Sequence, residues 1–269
     1  MKTSNLIDYT VVGAGTPIVF LHGMALDKRS TSLFFEPFMR SSNWQRVYLD
    51  LPGMGQSAPT TAASSEAVLR ALIEAIHEII GDQPFAVYGH SYGGYLAQAL
   101  ANRLPEQVVG LFLTGPVVMA DKAKRKLAKH QNVFVDEVQV DENESSYDAF
   151  LKMNVQVSQE HWEQYQKMIL PGLAAINHSY LVKLHEHYTL EEEPILQKRD
   201  YQIPLTMMVG KNDQIVGYQE QCQLVQQSEM GELFLLNQTG HNLLIDQPEL
   251  AKVAFHHFLE TVQAYLSQE

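Results

Sequence analysis

The sequence predicts an α/β protein built on a mostly parallel sheet, and three observations predict it. Short apolar runs without period-2 polarity, such as Ile18-Val-Phe-Leu21 and Val108-Val-Gly-Leu-Phe-Leu113, alternate with segments of helical spacing. That rhythm describes strands covered on both faces. One such run, Phe85-Ala-Val-Tyr88, turns through Gly89-His-Ser-Tyr-Gly93 straight into the helix-like Tyr95-Leu-Ala-Gln-Ala-Leu-Ala101, which puts a hydroxyl at the apex of a sharp strand-to-helix turn. Finally, 269 residues suffice for one large domain with an insertion, and the alternation lapses once, over residues 117–201, before it resumes.

Taken in order, residues 10–17 read as a strand end and a Gly-rich turn, followed by the strand 18–21 and the turn His22-Gly23-Met24. The pair Gly13 and Gly15 precedes a strand instead of joining a strand to a helix, so the context of a nucleotide-binding loop is missing. Residues 46–50 form the next strand, closed by the turn-rich Leu51-Pro-Gly-Met-Gly-Gln-Ser57. Val68, Leu72, Ile73, Ile76 and Ile79 or Ile80 recur at helical spacing, which predicts a helix over 66–80, capped by Ser64 or Ser65 and stopped at Gly81. Pro105 ends the helix that follows the apex, and 108–113 is a further buried strand. Within 117–201 four helices are expected, over 121–130, 146–155, 159–169 and 174–187. A strand at 203–210, a helix at 219–228 and a last strand at 233–236 follow. The closing helix starts at Pro248, a residue suited to the first helical position, and runs to about residue 266.

Composition bounds the partners. Asp and Glu outnumber Lys and Arg by 31 to 19, giving a formal charge of −12, which argues against nucleic acid or an anionic membrane as partner. The single Cys222 excludes an intramolecular disulfide, and the first residues lack an uninterrupted apolar stretch; together these lead us to expect a cytoplasmic protein without a signal peptide. No run is long and apolar enough to suggest a membrane span.

The chemistry centres on Ser91. A serine hydroxyl is a poor nucleophile at neutral pH and needs a base, which in turn needs a group to hold its tautomer. Asp213 follows one strand in Gly210-Lys-Asn-Asp-Gln214, and His241 follows the last strand in Gln238-Thr-Gly-His-Asn242. Both lie past the carboxyl ends of strands, the edge where open α/β sheets place ligands. Asp213 is also a plausible turn former, but acid and histidine arrive together. A tetrahedral oxyanion would need donors, and the backbone N–H groups of Met24 and Tyr92 are placed to supply them.

Five motifs in this order, His22-Gly23-Met24, Asp50-Leu-Pro-Gly-Met-Gly-Gln-Ser57, Gly89-His-Ser-Tyr-Gly-Gly94, Gly210-Lys-Asn-Asp213 and Gly240-His241, resemble those of the capped α/β-hydrolase-fold enzymes. The resemblance covers essentially the whole core. It implies an eight-stranded, mostly parallel sheet flanked by helices, with a helical cap inserted after the sixth strand. Residues 1–116 and 202–269 would then be the core domain and 117–201 the cap. It further implies a serine esterase-like hydrolase of a small-molecule substrate, with Ser91, Asp213 and His241 as triad and no cofactor.

Departures from relatives narrow this. Dehalogenases and epoxide hydrolases of the fold carry aspartate where Ser91 stands. The His-Gly-Gly-Gly loop of hormone-sensitive-lipase-like esterases is replaced by the shorter His22-Gly23-Met24-Ala25, and the Gly-Gly-Ser-Trp-Gly elbow of proline iminopeptidases is absent. Cleavage of a small apolar carboxylic ester is the leading expectation. A carbon–carbon bond hydrolase, a lactonase or a perhydrolase would use the same triad, and a receptor-like ligand-binding protein could keep it. His185 and His187, two apart on one helix, and the adjacent His256 and His257 lack metal-ligand spacing, so no metal is expected. Lys122, Lys124, Arg125, Lys126 and Lys129 read as a solvated basic face or as a patch that steers an anionic substrate. Met24, Met54 and Met119 are either core filler or the lining of a plastic pocket. Oligomeric state is not readable.

Overall fold

The computed structural model describes residues 1–141 and 144–268. The chain begins β1 (Tyr9–Val12), β2 (Thr16–Leu21), α1 (Arg29–Met39), β3 (Trp44–Leu49), α2 (Ser65–Ile80), β4 (Phe85–His90), α3 (Tyr92–Arg103) and β5 (Val108–Thr114). The segment 117–201 holds β6 (Val133–Phe134), α4 (Tyr147–Met153), β7 (Gln156–Val157), α5 (Gln159–Met168), α6 (Leu170–Ala174), α7 (His178–Glu186) and α8 (Glu193–Leu196). Then come β8 (Leu205–Gly210), α9 (Gln219–Gln226), β9 (Gly231–Leu236), α10 (Leu243–Asp246) and α11 (Pro248–Leu266).

The main sheet runs β1-β3-β2-β4-β5-β8-β9. Only β1 is antiparallel to its neighbour; the other pairings are parallel. Seven strands replace the expected eight among the described residues, and the insertion follows the fifth strand of this sheet, not a sixth. Where an eighth strand would lie, the N-terminal residues make one antiparallel bridge, Lys2 with Asp8, beside the free edge of β1. Lys2 to Ile7 hold too few apolar residues in alternation to continue it.

Strands β4, β5 and β8 are buried along their whole length, as apolar runs without alternation require. One face of the sheet packs under α2 and α3 through Leu69, Leu72, Ile76, Leu96 and Leu100. The other face is aromatic: Phe20 stacks on Tyr48 with centroids 4.5 Å apart, and Phe35 of α1 meets Phe255 of α11 at 4.5 Å. Helix α1 has no counterpart in the sequence reading. Pro37 lies inside it and masks the helical signal, yet burying Phe34, Phe35 and Met39 outweighs one missing hydrogen bond.

Residues 121–130 are not a helix. A three-residue 3-10 turn, Lys122–Lys124, is followed by irregular chain. Lys122 and Lys126, and Arg125 and Lys129, would be like charges one helical turn apart, which destabilises a helix. The nearly buried Arg125 instead donates to the carbonyls of Met119, Ala120 and Ile215. The expected helix over 174–187 splits, because Asn177 caps a fresh start by accepting from Tyr180 N.

The segment 117–201 is fastened to the sheet on two flanks. On one, Ser65 N donates to His187 O and Ser65 Oγ to Tyr188 O, Arg103 forks onto Glu192 at 2.8 and 2.6 Å, and Tyr95 Oη donates to Glu193 at 2.6 Å. On the other, the Gln214 amide reaches Lys152 O, and Asn154 and Gln156 bond to residues just past β9. Among the described residues no helix is long and apolar enough to cross a membrane.

Candidate active site

Because β2, β4, β8 and β9 are parallel, their carboxyl ends share one edge. The loops leaving that edge carry Met24, Ser91, Asp213 and His241. The turn at Ser91 has φ +52° and ψ −113°, a left-handed conformation that costs a non-glycine residue on the order of 1–3 kcal/mol. Neighbouring bonds hold it there: Ser91 N donates to Thr114 O, and Tyr95 N and Val117 N donate to Ser91 O. Gln98 Nε2 pins Val117 O and Gln221 Nε2 pins Pro116 O, so the turn after β5 is braced from two helices.

The turn tolerates no side chain at its flanks. A Cβ at Gly93 would stand 2.3 Å from Leu21 O and 2.5 Å from His22 O, and one at Gly89 would stand 2.7 Å from Gly93 O. These are backbone atoms that cannot swing away. Gly93→Ala is therefore expected to cost about 4 kcal/mol and to lower the melting temperature by about 10 °C or abolish soluble expression. A thermal melt of the variant with a change below about 3 °C would show that the elbow can relax.

The structure brings the three triad candidates together. His241 Nε2 lies 2.9 Å from Ser91 Oγ, and His241 Nδ1 lies 2.8 Å from Asp213 Oδ2. Asp213 is fully buried, while Ser91 and His241 are 8% and 5% exposed. Burial alone would raise the Asp213 carboxyl, but the adjacent His241, its hydrogen bond and the backbone N–H groups of Val216 and Ile215 outweigh that and hold it below its ordinary range. With the carboxylate ionised, Nδ1–H donates to Asp213 and Nε2 is left to accept from the Ser91 hydroxyl.

Both oxyanion candidates are also at hand. The Met24 loop lies against the elbow: a Cβ on Gly23 would be 3.4 Å from Ser91 Cβ and 2.9 Å from His90. Ala25, at φ +63°, turns the loop back, with its N–H on Met54 Sδ. Among the described residues the N–H groups of Met24 and Tyr92 have no hydrogen-bond partner. His22, fully buried, accepts from Leu51 N at 2.9 Å and donates to Gly23 O at 2.7 Å, bridging this loop to the one after β3. Burial pushes its pKa down against the pull of Asp50 and Gly23 O. Met54 thus has a place at the site, touching the Met24 loop.

Sequence reasoning missed several residues here. His90 lies beside His241 with ring centroids 4.9 Å apart and donates to Thr114 O. Burial, reinforced by His241, pushes its pKa down to about 3, so it stays neutral and does not compete as a base. Asp246, on α10, is buried without an ion-pair partner among the described residues, and burial pushes it up to about 6. The signal was present: an acid ending the apolar run Leu243-Leu-Ile-Asp246. A small apolar cavity of about 20 Å³ opens beside His90, bordered by Leu26, Tyr88, Met168, Ile169 and Leu243. In the basic run, Lys122 Nζ donates to His185 Nε2 at 2.8 Å. Neither His pair joins a cluster: no group of three or more His, Cys, Asp or Glu side chains is placed to hold a metal among the described residues.

Comparison with known proteins gives a consistent picture of the fold. A family model described as "Serine aminopeptidase, S33" matches residues 15–248. A crystal structure of an alpha/beta superfamily hydrolase from Oenococcus oeni superposes with a TM-score of 0.96 at 48% identity, covering 98% of each chain. Among curated proteins, 109 residues are 31% identical to the dihydrolipoyllysine-residue acetyltransferase component of the acetoin cleaving system of Cupriavidus necator, covering 40% of this chain and 29% of that protein. A stretch of 114 residues is 36% identical to the pimeloyl-[acyl-carrier protein] methyl ester esterase of Shewanella woodyi, covering 40% of each. The chain therefore spans well under half the length of these curated relatives.

Proposed function

The chain belongs to the serine aminopeptidase, S33 family of α/β-fold hydrolases, and from that premise we propose that it cleaves a small apolar carboxylic ester by way of an acyl-enzyme. The observation that carries this is the line Asp213 Oδ2, His241, Ser91 Oγ, joined at 2.8 and 2.9 Å among almost fully buried side chains. In the mechanism, Ser91 Oγ attacks the ester carbonyl as its proton passes to His241 Nε2. Asp213 holds the ring in place and stabilises the imidazolium. The oxyanion is received by Met24 N–H and Tyr92 N–H, both free to donate. His241 returns the proton to the departing alkoxide, and a water activated by the same nitrogen hydrolyses the acyl-enzyme.

Residues 117–201 act as a cap over this edge, because Met168 and Ile169 of the insertion border the cavity beside His90. Its apolar lining favours an apolar group over a charged one on this side of the site. The test is labelling with a fluorophosphonate probe, with the modified peptide located by mass spectrometry, together with rates on p-nitrophenyl acetate and butyrate, a vinylogous diketone and proline p-nitroanilide. Labelling at Ser91 with the esters turned over fastest is expected. Failure to label, or preference for the diketone or the anilide, would overturn the proposal.

A further inference from the structure

The buried carboxylate of Asp246 faces two different parts of the chain with its two oxygens. Oδ2 accepts from Gly240 N at 2.7 Å, the residue just before His241. Oδ1 accepts from Gln156 N, at the start of β7, at 3.2 Å, and from Asn154 Nδ2 at 3.4 Å. Asn154 in turn accepts through Oδ1 from Asn242 Nδ2 at 2.8 Å, the residue just after His241. The insertion is thus bonded directly to Asn242, just after the histidine, and through Asp246 to Gly240, just before it. Asp246 is 2% exposed and Asn154 fully buried.

Shape agrees with the hydrogen bonds. A Cβ on Gly240 would stand 2.9 Å from Val155 Cγ2 and 3.4 Å from Met153 O, so the loop and residues 153–155 are in direct contact. Nothing in that contact calls for a charge, and a buried carboxylate without a cation is costly. A turn that only needed closing would be served by an apolar residue. What a carboxylate supplies is two acceptor oxygens in a fixed fork, each able to hold a separate segment.

We propose that Asp246 is a positioning residue: it joins the His241 loop and residues 154–156 of the insertion into one unit, so that the seating of the insertion sets where His241 Nε2 stands relative to Ser91. This rests on the triad described above and adds a device that ties it to the insertion. Asn at position 246 keeps one acceptor oxygen and turns an NH2 toward the other donor, breaking one arm. Ala at position 154 removes the cross-link to Asn242 while leaving Gly240 held.

The experiment uses the full chain, with Asp246→Asn, Asn154→Ala and the double variant. A displacement well under 1 Å at His241 is expected to lower kcat on p-nitrophenyl acetate by about 10- to 100-fold in Asp246→Asn and by about 3- to 10-fold in Asn154→Ala, with KM within about twofold. The double variant should be no slower than Asp246→Asn by more than about twofold, because the arms act together. The low-field proton resonance of the His241–Asp213 hydrogen bond should broaden or move in both single variants, a readout that does not depend on any substrate. Wild-type kcat and an unmoved resonance in either folded variant would overturn the proposal, and Asn154→Ala carries the test alone if Asp246→Asn does not fold. Should the wild type prove inactive on every ester, the hydrolase proposal fails, while the resonance still decides this one.

Discussion

Ser91→Ala is expected to lower kcat on p-nitrophenyl acetate by about 10⁴- to 10⁶-fold while leaving the fold intact. The two halves of that expectation come from different atoms. The turn is held by Ser91 N, Ser91 O and the glycines around them, none of which the substitution touches. Alanine bears the same φ of +52° at the same steric cost as serine. Only the hydroxyl is lost, and with it one hydrogen bond to His241 worth about 1 kcal/mol of stability. The same deletion removes about 5–8 kcal/mol of transition-state stabilisation. Melting temperatures should therefore lie within about 4 °C of each other. Residual activity above about 1% of wild type would mean that the nucleophile is another group.

Asp213→Asn is expected to cost about 10⁴-fold in kcat, nearly as much as losing the nucleophile. The direction follows from the other carboxylate oxygen. Asp213 Oδ1 accepts from Ile215 N at 2.8 Å and Val216 N at 3.0 Å, so an asparagine must keep its carbonyl there. Its NH2 then faces His241 Nδ1, which becomes the acceptor, and the ring proton moves to Nε2, pointing at Ser91. A ring in that tautomer cannot take the serine proton. Steady-state rates on the same ester, with circular dichroism to verify the fold, give the answer, and a loss below about 100-fold would show that His241 keeps its tautomer by other means.

How much of this could be read from residues alone depends on how local the cause is. The elbow was legible because Gly89, Ser91 and Gly93 are fixed by a turn whose steric limits act within five residues. Asp213 and His241 were legible because each follows an apolar run that can only be a strand, and parallel strands end on one edge. The number of strands was less so, since whether residues 2–8 form a full strand or one bridge depends on the pairing offered by β1. Residues 121–130 misled for a related reason. Their composition suits a helix, but Arg125 is drawn to carbonyls from three places, one of them Ile215, ninety positions along the chain. Helix α1 was hidden by Pro37 and rescued by aromatic packing from α11, more than two hundred residues downstream. Asp246 and Asn154 are acid and amide in ordinary surroundings until the fold places them 3.4 Å apart.

The fastening of residues 117–201 on both flanks has a consequence for exchange between relatives. A foreign insertion grafted between β5 and β8 would arrive with its own surface against Gly240, Asn242 and Asp246. Unless it offered an amide or backbone N–H where Asn154 and Gln156 now stand, Asp246 Oδ1 would lose its donors and the histidine loop would keep only the Gly240 arm of its brace. On the proposed role of Asp246, recombination at the chain's own boundaries would give sound sheets with slowed sites, and a fully active chimera would have to carry positions 154 and 246 as a matched pair. Seen this way, residues 117–201 are not a detachable module, because one of their anchors stands beside His241.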